Sequence, residues 1–215
     1  MATNEAPKCV NEPVAIAIYA KAPRPGTVKT RLIPMLGAAG AAALQADLIA
    51  RTVAQAVAAN TGPVSLWCAP DMDHPLFAEL ASRFNLSLHC QCAGDLGARM
   101  ADTFATITRD IPALLFGSDC AVLEADHLSA CAARLRDGND AVFLPVEDGG
   151  YVLVGLRKPA PALFDDIAWS TANVMAQTRQ RAAALGLRIN EGPVLWDIDR
   201  PQDVERARAQ GLIAI

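Results

Sequence analysis

Apolar and polar positions along this chain alternate in short segments that predict strands and helices in turn. Short apolar runs predict buried strands, whereas apolar residues that recur every three or four positions predict helices. The predicted strands are 14–20, 64–69, 86–90, 113–117, 140–145 and 151–156, with further extended segments at 187–190 and 194–197. The predicted helices are 38–59, 75–84, one that Asp95 opens, 124–136, 171–185 and 201–210.

Strand–helix alternation over the whole chain predicts one α/β domain, residues 1–215, with a Rossmann-like, mostly parallel sheet and helices on both faces. The strand 151–156 follows its predecessor through a turn too short for a parallel crossover, so we expect it to be antiparallel. Ser170 or Thr171 is expected to cap the helix 171–185. Residues 1–12 are expected to be flexible.

Ligands of open α/β sheets bind beyond the carboxyl ends of the strands, and we therefore expect the functional residues at this edge of the sheet.

The composition narrows the choice of protein class. The 215 residues include 19 Lys plus Arg and 23 Asp plus Glu, a formal net charge of −4. This mildly acidic balance argues against a nucleic-acid partner, since dedicated nucleic-acid binders are usually basic. No run of about 18 apolar residues indicates a membrane span, and the first residues lack the apolar stretch of a signal peptide. We therefore expect a cytoplasmic protein with no membrane partner.

The six cysteines are scattered, mostly within apolar runs, so we expect reduced and buried thiols. Cys90 and Cys92 beside His89 are the one combination that suggests zinc. They lack the usual ligand spacing and no second cluster follows them, which argues against a zinc site.

A basic loop follows the first predicted strand. It contains four cations, and Gly26 lies among them. The guanidinium of Arg can donate two parallel hydrogen bonds to phosphate oxygens, and the ammonium of Lys supplies a compact positive charge. Backbone amides near a glycine can donate further hydrogen bonds to a phosphate. No Gly precedes Lys29 as a Walker A motif requires, and no G-x-G-x-x-G fingerprint occurs. A solvated basic loop is the alternative, but four cations at this position of an acidic protein favour phosphate binding.

Acidic residues follow two later strands. Asp119 comes directly after the strand 113–117, where a carboxylate can hold a divalent cation that bridges a diphosphate. Asp197 and Asp199 alternate on an extended segment and are predicted to point to opposite sides of it. At most one of them then faces the pocket, and the other caps the last helix. An ordinary turn or cap residue is the alternative for each of these acids.

Three shorter segments offer weaker signals. In the turn 147–150 two carboxylates precede two glycines, which allow close backbone approach to a ligand. Glu147 or Asp148 could accept a hydrogen bond from an acceptor hydroxyl or act as a base, and an ordinary acidic turn is the alternative. Asp95 is a natural helix cap, while residues 170–171 offer hydroxyls and free amides to an anion at a helix start.

The order of these motifs resembles the GT-A superfamily of nucleotide-diphospho-sugar transferases. It is most similar to a bacterial group labelled glycosyltransferase A, similar to the 2-phospholactate guanylyltransferase of deazaflavin-cofactor synthesis. The chain departs from the group at Ala121, where Pro is usual, and at Arg200, where Thr is usual, and neither change removes a charged ligand. The residues that carry the resemblance are 20–32, 94–100, 117–120, 147–151, 169–171 and 196–201.

The resemblance implies a GT-A-like fold with the nucleotide over the first loop and Mg²⁺ (or Mn²⁺) as cofactor. Asp119 matches the metal-binding aspartate of the superfamily, and Asp199 matches the late acidic position that often completes the metal site. Lys29 and Arg31 match a basic pair that contacts the phosphates. The nucleotide-binding candidates are Ala20, Lys21, Arg24, Gly26, Lys29, Arg31, Asp95 and Ser118. The acceptor-binding candidates are Glu147, Asp148, Gly149, Gly150, Ser170 and Thr171. The catalytic candidates are Asp119, Lys29, Arg31, Glu147 and Asp148.

Nucleotidyl transfer from a nucleoside triphosphate to a small phosphorylated acceptor is the favoured function, because the dense basic loop suits the charge that two such substrates bring together. Mg²⁺ on Asp119 and Asp199 would neutralise the developing charge. Glycosyl transfer from a nucleotide-diphospho-sugar is the alternative, with Glu147 or Asp148 deprotonating an acceptor hydroxyl. A nucleotide-binding module without turnover is the third reading, which loss of a metal ligand would favour.

Overall fold

A computed structural model describes residues 12–213 of the chain, and the expectations for the first eleven residues, for Cys9 and for residues 214 and 215 lie outside this range. Within it the chain forms seven strands and six α-helices. The strands are β1 (Ala15–Lys21), β2 (Val64–Ala69), β3 (Ser87–Cys90), β4 (Ala113–Gly117), β5 (Ala141–Pro145), β6 (Tyr151–Leu156) and β7 (Ile189–Glu191). The helices are α1 (Ile33–Ala59), α2 (Pro75–Phe84), α3 (Leu96–Ile107), α4 (Ala125–Arg136), α5 (Val174–Ala184) and α6 (Pro201–Ala209), and two short 3-10 helices span Thr30–Leu32 and Pro161–Phe164.

The seven strands form one sheet in the order β3-β2-β1-β4-β6-β5-β7. Its pairs are parallel except those of β6, which runs antiparallel to both β4 and β5. The predicted mostly parallel α/β sheet and its antiparallel strand are therefore confirmed. From β1 the chain continues to β2 and β3 on one side of β1, and it then returns to form β4 on the other side. The topological switch point of the sheet therefore lies between β1 and β4.

Helices cover both faces of the sheet, as the alternation predicts. In β1, Ile16 and Ile18 belong to a buried cluster with side chains of α1, α2 and α4. Ala15 and Ala17 belong to a second cluster with side chains of α3 and α5. Successive residues of a strand point to opposite faces, so the two sets of helices lie on opposite sides. A third, smaller cluster packs α6 and the segment before it against α1.

Helix α1 begins five residues earlier than predicted, at Ile33, and Gly37 (φ 70°) kinks it. The stretch Thr30–Ala59 is long and apolar enough to cross a membrane by length and composition alone, although polar residues such as Gln45 and Asp47 interrupt it. In the fold its side chains at Ile49 and Val53 are completely buried in the cluster shared with α4 and the sheet. The helix thus serves as a core helix of this domain.

The start of α5 also differs from the prediction. The helix begins at Val174, with Asn173 in the cap position and no side chain capping it, so the predicted cap at Ser170 or Thr171 is wrong. The Thr171 hydroxyl instead donates to the carbonyl of Ala168 (2.7 Å) and accepts from the Asn173 amide (3.3 Å). It closes a turn ahead of the helix, which leaves residues 170–172 as a connecting segment.

Candidate functional site

The segment between β7 and α6 crosses the carboxyl edge of the sheet. The Leu195 amide donates to the Pro145 carbonyl (2.8 Å) at the end of β5, and the Ile198 amide donates to the Asp119 carbonyl (2.9 Å) after β4. The predicted extended segment 194–197 therefore forms a single isolated bridge, Leu195 with Val146, rather than a strand. These bonds place Asp197 between the ends of two strands.

Lys29 of the basic loop reaches into this edge. Its ammonium lies 2.9 Å from the Asp119 carboxylate and donates to the Ile198 carbonyl (2.5 Å), and only 4% of its side chain is exposed. The backbone of Lys29 is left-handed (φ 46°), which is uncommon for a residue other than glycine. The loop after β1, the end of β4 and the segment before α6 thus meet at one buried ammonium.

Asp197 lies on the same side as this ammonium. Burial, and then the negative charges of Asp148 and Asp119, raise the pKa of Asp197 to about 6, while Lys29 acts in the opposite direction. Three carboxylates from separate segments therefore interact electrostatically here. Their mutual repulsion is what a cation would relieve.

The prediction that Asp197 and Asp199 point to opposite sides is wrong. Residues two apart on an extended backbone share a side. Trp196 and Ile198, which lie on the other side, are buried in the cluster with α1 and α6. Both acids consequently face the basic loop, and the sequence already carried this signal in its alternation of apolar and acidic residues.

Asp199 forms an ion pair with Arg31, and both side chains are substantially exposed. Its predicted role as a metal ligand stays a prediction. Neither Asp197 nor Asp199 caps the last helix through its side chain. That role belongs to Asp203, whose carboxylate accepts from the Arg200 amide (2.7 Å).

The other cations of the loop have different partners. Arg24 forms two hydrogen bonds with the Asp71 carboxylate (2.9 and 2.7 Å), and this bond lowers the pKa of Asp71. The exposed Lys21 ammonium donates to the Thr27 carbonyl (2.8 Å), which curls the loop around Gly26 (φ 80°). The sequence did not point to Asp71, because nothing in its local pattern indicates a partner 47 positions earlier.

Two further nucleotide-binding candidates, Ser118 and Ala20, are buried. The Ser118 hydroxyl accepts from the Gln45 amide (3.0 Å) in the interior, and Ala20 is buried within β1. Asp95 caps α3, as predicted, by accepting from the Ala98 amide (2.8 Å).

A polar pair for which no role is predicted from the sequence involves Arg99 in the first turn of α3. The Arg99 guanidinium donates to the Gln91 side chain (3.1 Å), and the Gln91 amide donates to the Trp67 carbonyl (2.8 Å) at the end of β2. These groups line the carboxyl edge on the β2 side of the switch point.

The acidic turn 147–150 is held from two directions. Glu147 accepts two hydrogen bonds from Arg206 of α6 (2.9 and 3.0 Å), which lower the pKa of Glu147, and the Arg206 guanidinium stacks on the Trp196 ring at 4.2 Å. The Asp148 carboxylate accepts from the Gly150 amide (3.0 Å). Glu147 therefore anchors the turn to α6.

Gly149 brings the turn against the segment that precedes α5. Its φ is 91°, and a Cβ at this position would lie 2.2 Å from the Ala172 carbonyl oxygen, so no other residue fits. The Gly149 carbonyl accepts from the Met175 amide (2.9 Å). The acceptor-side candidates Ser170 and Thr171 thus come from a segment in direct contact with the turn.

The carboxylates of this centre suit a divalent cation, but they do not form a complete set of metal ligands by themselves. Over residues 12–213, no group of three or more His, Cys, Asp or Glu side chains is arranged to hold a metal ion. Magnesium is commonly bound by one or two carboxylates together with substrate phosphates. Asp119 and Asp197 offer such hard oxygen ligands, and burial, followed by the negative charges of Asp148 and Asp119, raises the pKa of Asp197.

Residues 52–171, more than half of the chain, match the family model described as an uncharacterized protein conserved in bacteria, DUF2064. The chain belongs to the DUF2064 family. No curated protein matches the sequence of this DUF2064 protein.

Solved structures share the fold of the DUF2064 protein. A candidate nucleotide-diphospho-sugar transferase from Desulfovibrio desulfuricans G20 is 27% identical, with a TM-score of 0.78 over 87% of this chain and 82% of that chain. A 4-diphosphocytidyl-2C-methyl-D-erythritol synthase from Anaerococcus prevotii DSM 20548 is 11% identical, with a TM-score of 0.60 over 94% and 97%. The glucosyl-3-phosphoglycerate synthase of Mycobacterium tuberculosis, solved with Mn²⁺ and UDP, is 10% identical, with a TM-score of 0.55 over 95% and 78%.

These matches confirm the predicted resemblance to nucleotide-diphospho-sugar transferases and the GT-A-like fold of the DUF2064 protein. The roles assigned to single residues stay predictions. The structure does bring Lys29, Arg31, Asp119 and Asp199 to one edge of the sheet.

Proposed function

We propose that this DUF2064 protein is a metal-dependent transferase that uses a nucleotide donor, and that it transfers the nucleotidyl group of a nucleoside triphosphate to a small phosphorylated acceptor. The observation that supports this most is the meeting of Lys29 with Asp119 and the Ile198 carbonyl at the switch point. Cations and carboxylates side by side are what a phosphate chain bound together with a divalent cation requires.

Each charged group then has a defined task. Asp119 and Asp197 would hold Mg²⁺ or Mn²⁺, with Asp199 as the further ligand that the resemblance suggests. When bound, the metal supplies positive charge to the diphosphate that leaves. Lys29 and Arg31 bind phosphate oxygens, Lys29 as a point charge and Arg31 as a fork.

The hydrogen bonds of Glu147 favour a phosphorylated acceptor. Arg206 lowers the pKa of Glu147, which makes that carboxylate a poor base for an acceptor hydroxyl. A phosphate acceptor is already anionic at neutral pH and needs no such base. The cations of the first loop also match the combined charge of two phosphorylated substrates.

Glycosyl transfer from a nucleotide-diphospho-sugar is the second candidate. The name of the 27% identical structure favours it. So does Asp148, because its negative charge raises the pKa of Asp197 and it therefore lies near the acidic centre, where it could accept a hydroxyl proton.

A thermal-shift screen of nucleoside triphosphates and nucleotide sugars, with and without Mg²⁺, tests the proposal. A ligand at 100 times its Kd stabilises the folded state by about 2.7 kcal/mol, so the donor is recognised by a rise in Tm. We expect a Mg²⁺-dependent rise with a triphosphate, followed by diphosphate release when phosphorylated acceptors are added.

The variant Asp119→Asn serves as the control for the screen and should lose the Mg²⁺-dependent part of the shift. Reaction with nucleotide sugars but not with triphosphates would establish the second candidate. Tight binding that needs no metal and survives Asp119→Asn would indicate a nucleotide-binding module without turnover.

A further inference from the structure

The ammonium of Lys29 differs from the other charges of the basic loop. Lys21 and Arg31 are exposed, and Arg24 is paired with Asp71. Lys29 is the loop cation whose side chain is almost fully buried, at 4% exposure. Its position is therefore set by the interior of the site and not by solvent.

The two acceptors of Lys29 are a carboxylate oxygen and a backbone carbonyl oxygen. The ammonium lies 2.9 Å from the Asp119 carboxylate and 2.5 Å from the Ile198 carbonyl. Both are hard oxygen ligands of the kind that a divalent cation uses. The ammonium thus occupies a position where the protein presents oxygen ligands to positive charge.

The backbone supports the same conclusion independently. Lys29 adopts a left-handed conformation (φ 46°), which the side chain of an L residue disfavours. The fold holds it there at the start of the 3-10 helix Thr30–Leu32, and no side-chain cap compensates at this end. Strained backbone of this kind persists where the surrounding structure demands a particular side-chain placement.

We propose, on the basis of the proposed function, that Lys29 is an internal counter-ion that holds the cation position of the site until the substrate arrives. A divalent ion on Asp119 meets the repulsion of a neighbouring ammonium, so metal alone binds weakly. When a phosphate chain binds, the Lys29 ammonium can pair with phosphate oxygens instead of Asp119, which leaves the Asp119 carboxylate to the metal. Metal and phosphate then bind cooperatively, because each removes an obstacle to the other.

Titration with Mn²⁺ alone, followed by electron paramagnetic resonance of the free ion, tests the first half of this proposal. Lys29→Met removes the charge and keeps the length of the side chain, and we expect it to bind Mn²⁺ at least about tenfold tighter than the wild type. Lys21→Met removes one charge from the same loop, and we expect it to change the affinity by less than about threefold. An unchanged or weaker affinity of Lys29→Met overturns the proposal.

A second variant covers the case in which Lys29→Met does not fold. Glycine is the residue that a left-handed backbone favours, so Lys29→Gly should fold and show the same gain in Mn²⁺ affinity. The double variant Asp119→Asn with Lys29→Gly should lose that gain. If the gain persists, the ion binds elsewhere and the proposal is wrong.

Inorganic diphosphate tests the exchange itself. It should raise the Mn²⁺ affinity of the wild type more than that of Lys29→Gly, and equal increases contradict the transfer of the ammonium to phosphate. The Mn²⁺ titrations and the diphosphate experiment use no nucleotide. If no nucleotide donor were found, the proposed function would be contradicted, but the Mn²⁺ affinities would still test the role of Lys29.

Discussion

The charged side chains of the site form ion pairs with residues that are distant in the sequence. Lys29 pairs with Asp119, Arg31 with Asp199, and Glu147 with an arginine of α6. The residue types and their places after strands could be predicted. The pairings could not, because they depend on which side each segment presents once the sheet has formed.

Arg31 provides a prediction at this scale. Its side chain is 66% exposed, and its guanidinium forms an ion pair with Asp199 at the edge of the site. We expect Arg31→Ala to weaken the binding of a nucleoside triphosphate about tenfold or more, because a charge-assisted contact to phosphate is lost, and to leave the binding of the bare nucleoside nearly unchanged. Calorimetric titration of both ligands checks this, and equal losses would show that Arg31 does not contact phosphate.

The five described cysteines form no disulfide with one another, and their burial is uneven, so the prediction that all are buried is only partly correct. Among the described residues, Cys68, Cys120 and Cys131 are buried, Cys92 is partly buried and Cys90 is exposed. Cys90 is the last residue of β3, the strand at one edge of the sheet. Its place in an apolar run of the sequence suggested burial, but the edge position leaves it exposed.

Thiol labelling at different pH values should separate these cysteines. Burial raises the pKa of Cys68 and of Cys131 to about 12, so at pH 8 neither forms the thiolate that reacts. We expect peptide mapping after brief labelling to find at least about tenfold more label on Cys90 than on either. Since the unfolded chain releases these protons first, the folded state should also lose stability as the pH rises above about 9. Comparable labelling of all three would contradict the buried placement.

Among the secondary-structure elements, the strands could be predicted from their short apolar runs, and most helices from apolar residues that recur every three or four positions. The starts of α1 and α5 could not. The N-cap position of α1 is occupied by Leu32, whose side chain cannot cap a helix, and Gly37 interrupts the apolar pattern. The hydroxyl of Thr171 closes a local turn instead of capping α5, since Ser and Thr serve either purpose and the flanking sequence does not distinguish them.

Helix α6 is joined to the acidic turn by the pair of Glu147 and Arg206. We expect Glu147→Gln to lower the Tm at pH 7, because the bidentate pair is lost. The folded-state pKa of Glu147 is lowered, so the stabilisation is present above the unfolded pKa of about 4.3 and is lost as the pH falls through the lower folded value. The Tm values of the two proteins should therefore converge as the pH falls below the unfolded pKa and through the lower folded pKa of Glu147.

The control for this variant is Glu191→Gln, which breaks an equivalent bidentate pair with Arg179 away from the turn. Both variants should show the same trend with pH, but only Glu147→Gln should reduce acceptor-dependent turnover. Equal turnover in the two variants would mean that the anchoring of the turn does not matter for the reaction.

At the scale of the whole molecule, the net charge of −4 coexists with a concentrated positive loop at one edge of the sheet. The order of motifs along the chain was sufficient to predict the fold and the edge on which the candidates lie, because parallel strands end at a common edge. The alternation of apolar and acidic residues over 196–199 also indicates that Asp197 and Asp199 share one side, but not what that side faces. That depends on the packing of Trp196 and Ile198 in a cluster formed by residues far apart in sequence.

The reversed direction of β6 has a consequence for how this family can diversify. Because β6 runs against its neighbours, it begins where β4 and β5 end, and the turn 147–150 therefore opens onto the binding edge from its own hairpin. Under the proposed function, the acceptor side lies on this hairpin and the donor side on the loop after β1, which are separate segments of the chain. Substitutions in the hairpin would then change the acceptor and leave the donor loop in place.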